Sequence, residues 1–231
     1  MPADQGHDVF NTIFNLVTQD AQVACFENAA AHLGSGVHQP QPRPRLGVRE
    51  ALNAPGAKEA DMAGSAELLV DAFGRVREVV HRVVGGLTPE QLAFRVDPGA
   101  NSIAWLVWHL TRIQDDHVAD AAQAEQVWTS QGWVERFGLP FDPLATGYGH
   151  RAADVAGVRV ASGELLVGYH DAVHQQTTRY VERLGDADLA RVVDRSWDPP
   201  VSLGVRLVSV IADDLQHAGQ AAFVRGVVQR R

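Results

Sequence analysis

A chain of 231 residues, 45% of them hydrophobic, can bury a core, and its length allows one domain with an appendage or two small domains. A net charge of -8 with no cluster of Lys and Arg excludes a protein that tracks a nucleic-acid backbone, and the single cysteine, Cys25, excludes an intramolecular disulfide framework. Apolar runs such as IAWLVW fall far short of the roughly 18 residues a bilayer span needs, and the N-terminus has no basic stretch leading into an apolar one. The expectation is a cytoplasmic protein with neither nucleic acid nor membrane as partner.

In chain order, residues 8–33 place Phe10, Ile13 and Val17 on one helical face, although Asn11, Asn15 and Thr18 are poor helix formers. Residues 34–62 are rich in Gly, Pro and charge and carry a Gln-Pro-Gln-Pro-Arg-Pro run that favours extended chain. Residues 1–63 are therefore read as an extension and linker, with Met62 at the junction as an alternative start, and residues 64–231 as the folded domain. From Ser65, a capping residue, Leu69, Phe73, Val76, Val80 and Val83 recur on one stripe that ends at Gly85 and Gly86. Thr88-Pro89-Glu90-Gln91 has capping-box form and predicts a short turn of helix.

Asn101 or Ser102 opens a second long helix, with Ile103, Leu106, Leu110 and Ile113 at spacings of three and four. A third runs from Ser162 to about Leu184, striped by Leu166, Val173, Thr177, Tyr180 and Leu184. Pro199 and Pro200 precede a fourth, striped by Leu203, Leu207, Val210, Asp213 or Asp214, His217, Ala221 and Val224. Four amphipathic helices without a persuasive period-two strand predict an all-α, up-down four-helix bundle. Between helices two and three, residues 128–161 form a long connection carrying Trp128, Trp133, Phe137, Phe141 and Tyr148, an aromatic content that favours a functional role.

Two polar residues on the fourth stripe need an explanation, because a buried polar group without a partner costs a few kcal/mol. Asp213 and His217 are four apart, about 40° around the helix, so their side chains converge. On helix two, His109 shares the inward face of Leu106 and Ile113. Two imidazole nitrogens and one carboxylate oxygen, with a position left open, make the ligand set of a catalytic divalent metal, Zn foremost.

The segments NSIAWLVWHLTRIQDDHVAD and DDLQHAGQAAFVRG resemble the signature regions of the DinB-like superfamily, in particular its mycothiol-dependent transferase and maleylpyruvate isomerase-like branch. The resemblance spans residues 64–228. It implies a bundle with a metal held by one His of helix two and an H-x-x-x-H or E-x-x-x-H pair of helix four. Those positions are His109, Asp213 and His217, and Asp213 departs from the commoner His or Glu by a shorter side chain.

Among the other polar residues, His170 and His174 form an alternative i, i+4 pair, read rather as lining a substrate or facing solvent. Asp116 is a candidate acceptor for His109, with a surface ion pair as its alternative. His117 is placed at a helix interface, Asp214 in solvent or beside a neighbouring helix, and His150 in a loop. Cys25 is a poor nucleophile candidate, so the reacting sulfur is expected to come from outside. The leading expectation is a transferase that activates a mycothiol-like thiol on Zn, with Ni or Fe as alternatives, for attack on a small electrophile in a pocket shaped by the aromatic connection. A hydrolase using metal-bound water and a non-catalytic, stress-linked binding or dimerisation module are the rival readings, and a homodimer is the candidate assembly.

Overall fold

The computed structural model describes residues 64–231; the expectations for residues 8–33, the linker, Cys25 and Met62 lie outside the described residues. Helix α1 spans Ser65–Val84. Gly64 occupies the cap position expected for Ser65, whose hydroxyl instead donates to the Asp186 carboxylate. Phe73, Val76, Val80 and Val83 are buried as their spacing predicts, and the Gly85 amide closes the last turn on the His81 carbonyl. The turn Pro89–Leu92 carries the capping box, with the Thr88 hydroxyl accepting from the Gln91 amide and the Gln91 side chain accepting from the Thr88 amide.

Helix α2 spans Ile103–Ala122, opened by the Ser102 hydroxyl, which accepts from the Trp105 amide. Every residue from Ile103 to Arg112 is buried, so this helix has no wet face over its first half. Helix α3 spans Gly163–Val181, ending short of Leu184, and α4 spans Leu203–Val228, with Ser202 as its cap.

The four pack as a bundle in which α2 and α1 each lie between α3 and α4. Pairs such as His109 with His217 and His117 with Arg206 make α2 and α4 antiparallel, while Arg112 with Tyr169 and Ala121 with Tyr180 make α2 and α3 parallel. Arg77 on Asp171 and Val84 beside Gly163 make α1 and α3 antiparallel, so the order along the chain is up, down, down, up and not the simple up-down alternation expected. The long connection permits it by returning the chain to the end from which α2 began; short loops would have forced alternation.

That connection folds into three helical turns, Val127–Ser130, Trp133–Phe137 and Ala152–Gly157. A buried polar network anchors it. The Asp115 carboxylate accepts from the Val127 and Trp128 amides at 2.8 Å and from the Tyr169 hydroxyl at 2.9 Å, and Arg112 donates to Gln126 Oε1 and the Ala145 carbonyl. Burial pushes the Asp115 carboxyl up, against the pull of those two amides, Tyr169 and Arg112.

One small ribbon departs from the helical pattern: Val192–Asp194 pairs antiparallel with Val201–Ser202 ahead of α4. Strands of three and two residues are too short for a period of two to register in the sequence. Among the described residues no helix is long and apolar enough to cross a membrane.

Candidate metal centre

Antiparallel packing of α2 on α4 brings the residues singled out on the two stripes together. His109, Asp213 and His217 are all buried, and each offers one ligand atom within 4.8 Å of the others. The two imidazole rings meet edge to face with centroids 4.9 Å apart, and His217 Nε2 lies 3.5 Å from Asp213 Oδ1. Asp213 Oδ2 is buried without a hydrogen-bond partner, and a cation is the partner that would satisfy it.

Each imidazole is oriented from its far side. His109 Nδ1 lies 2.6 Å from the Thr146 carbonyl oxygen, which can only accept, so the proton sits on Nδ1 and the lone pair on Nε2. His217 Nδ1 lies 2.9 Å from Gln220 Oε1, which sets the same tautomer. The Trp105 ring stacks on His109 at 4.5 Å and stands edge-on to His217, closing one side of the cluster.

Thr146 reaches His109 because Gly147 follows it. With φ at +95°, Gly147 adopts a conformation that favours glycine, and a Cβ there would lie 2.7 Å from His109 Nδ1 and 3.0 Å from the Trp108 ring.

Electrostatics divide the two imidazoles. Burial, aided by the neighbouring His217, pushes His109 down to about 4, so it is neutral and free to ligate at neutral pH. Burial also opposes charge on His217, but the hydrogen bond and charge of Asp213 outweigh it and raise this imidazole above its ordinary value.

Other residues fall elsewhere than expected. Asp116 does not reach His109: it accepts from Gln126 Nε2 at 2.7 Å, since the Thr146 carbonyl already occupies the far side of the imidazole. His117 does sit at a helix interface, 3.2 Å from an Arg206 nitrogen of α4. Asp214 is neither solvated nor paired; it is fully buried with both oxygens unpartnered, and burial together with Asp213 holds its carboxyl well above the ordinary range.

His170 and His174 stack with centroids 6.4 Å apart and belong to no three-ligand cluster among the described residues. His170 faces neither solvent nor an open pocket; it is fully buried, and burial pushes it down to about 3. Trp128, Trp133 and Phe137 surround Tyr169 in the core, so that part of the aromatic connection is packing and not the wall of a pocket.

The part of the connection that meets the site is residues 141–150, whose contributions the side-chain pattern does not announce. His150 is no bystander. Its ring stacks on Trp108, touches Phe141, and its Nδ1 accepts from the Trp105 indole N–H at 3.1 Å. The glycines flanking Tyr148 are the available signal, since both have positive φ and mark a backbone held close to something.

The sequence profile of a family described as Mycothiol-S-transferase matches residues 68–229. A conserved protein of Enterococcus faecalis, known from its crystal structure, is similar in fold with a TM-score of 0.69 and 30% identity, over 73% of this chain and 99% of that one. No protein of curated function matches.

Proposed function

Because the chain belongs to the Mycothiol-S-transferase family, we propose that it joins the sulfur of a mycothiol-like thiol to a small electrophile at a divalent metal held by His109, Asp213 and His217. The observation that carries this reading is the convergence of three buried ligand atoms with one carboxylate oxygen left unpartnered.

The donor set fits such an ion. Two neutral imidazole nitrogens and one carboxylate oxygen leave a fourth position open, as in catalytic zinc sites, and borderline ligands of this kind also accept Ni or Fe. A divalent ion bound there would lower the pKa of a coordinated thiol, so that the sulfur is a thiolate near neutral pH. The chain's own residues supply the rest. Thr146 and Gln220 hold the two Nε2 lone pairs toward a common point, and Asp213 contributes one negative charge. Trp105 and Trp108 keep water from the α2 side of the site, their rings buried against His109 and His150. His150, with Nδ1 committed as an acceptor, keeps its proton on Nε2 as a donor at the rim.

The test is a metal analysis of the purified protein followed by thiol-consumption assays with mycothiol and other small thiols against a panel of electrophiles. Metal-dependent loss of both thiol and electrophile supports the proposal. Loss of electrophile without thiol would instead mark a hydrolase.

A further inference from the structure

The outer face of α4 has the composition of a core. Val205, Val208, Leu215 and Phe223 are 56%, 61%, 45% and 66% exposed, and Ala212, Gly219 and Ala222 are exposed among them. The helix carries four formal charges, and none lies on this face. Asp213 and Asp214 point inward, Arg206 is paired with Asp194, and Arg225 donates to the Val83 and Gly85 carbonyls. The outer face of α1 shows the ordinary alternative, with Glu67, Asp71, Arg75, Glu78 and Arg82 in solvent.

The spacing adds a second observation. Residues 205, 208, 212, 215, 219 and 222 alternate by three and four, the seam of a helix pair. If two such helices run antiparallel about a twofold axis at the level between Asp213 and Asp214, each seam residue meets one partner. Val205 faces Ala222, Val208 faces Gly219, and Ala212 faces Leu215. In every layer a large side chain meets a small one, and the symmetry repeats each layer. A Cβ at Gly219 would meet nothing within its own chain, so the space is open to a partner's valine. The exposed side chains of this face sum to roughly 500 Å², the upper range of what a monomer leaves uncovered. Covering this face on both copies would bury about 1,000 Å² in total, the lower edge of a specific interface.

We infer that the outer face of α4 is an isologous interface, on which a second copy of this chain packs its own α4 antiparallel in the register Val205 to Ala222 and Val208 to Gly219. The candidate metal ligands point to the opposite side of the helix, so pairing leaves that centre intact.

Sedimentation of the full chain over a dilution series tests this, with Val205→Glu, Ala222→Lys and the double variant, each checked by circular dichroism. The wild type is expected to be a reversible dimer. Each single variant should weaken it at least about tenfold, because it buries an unpaired charge. The double variant should restore it, since the carboxylate introduced at position 205 of each copy would then face the ammonium introduced at position 222 of the other. Metal content should be equal in all four proteins. A wild-type chain that stays monomeric throughout, or a single variant that dimerises as the wild type does, overturns the interface. Failure of the double variant to recover overturns the register.

Discussion

The Thr146 carbonyl, 37 residues beyond His109 in the chain, lies 2.6 Å from its Nδ1 and so decides which nitrogen of that imidazole is free to bind a metal. One loop of the long connection therefore completes a cluster whose three candidate ligands all come from helices. Gly147→Ala tests that dependence. The added Cβ would strike His109 and Trp108 at a backbone conformation that side chains rarely adopt, so the loop must retreat. Overpacking of this kind costs about 1 to 3 kcal/mol. Thermal unfolding should show the loss, and competition against a chelator should show weaker metal binding by a similar energy.

His109→Ala, Asp213→Ala and His217→Ala should each lower metal affinity sharply, while His174→Ala should not, because its ring belongs to no converging set among the described residues. Isothermal titration with zinc compares the four. A His174→Ala protein as impaired as the others would place the metal elsewhere.

The long helices are legible in the sequence because their stripes are regular, and the three candidate ligands because polar residues on a seam demand a partner. The orienting contacts are not legible. Thr146 acts through its carbonyl, which every residue possesses, and Gln220 lies one turn after His217 like many helical glutamines. Asp214 escapes for a related reason. At about 100° from Asp213 it still falls within the broad buried face of a helix packed on two neighbours, so spacing alone does not tell solvent from core. The role of the aromatic connection is half legible: its side chains signal burial, and burial serves the core more than a pocket.

Acid should release the metal before it unfolds the protein. Against the effect of burial, Asp213 raises the His217 imidazole above its ordinary 6.5, so a proton competes for Nε2 as pH falls through that raised value, while His109, at about 4, resists much longer. In metal-free protein the two act oppositely on stability. The contribution of His217 is fully present below the unfolded value and is lost as pH rises through the folded one. His109 costs stability as pH falls below 6.5, where the unfolded chain takes up a proton that the folded one refuses until about 4. Metal affinity and metal-free unfolding temperature measured across the range from weakly acidic to weakly alkaline pH separate these effects, and Asp213→Asn should abolish the His217 part.

Asp115→Ala should be among the most damaging substitutions outside the candidate metal ligands. It leaves the Val127 and Trp128 amides, the Tyr169 hydroxyl and the Arg112 guanidinium short of an acceptor in the core. Removing one partner of a buried charged pair costs about 3 to 5 kcal/mol. Chemical denaturation should register a loss of that size.

Asp213→Glu asks whether the shorter carboxylate is a ligand or a packing element. A ligand tolerates the change, because the oxygen remains available and metal affinity should be kept, whereas a packed spacer would lose stability with no counterpart in metal binding.

The most direct measurement is metal stoichiometry in the wild-type and His217→Ala proteins, prepared side by side and analysed by inductively coupled plasma mass spectrometry. One divalent ion per chain in the wild type and almost none in the variant is the expected result. Full occupancy in the His217→Ala protein would contradict the assignment of the centre, and with it the thiol-activating function built on it.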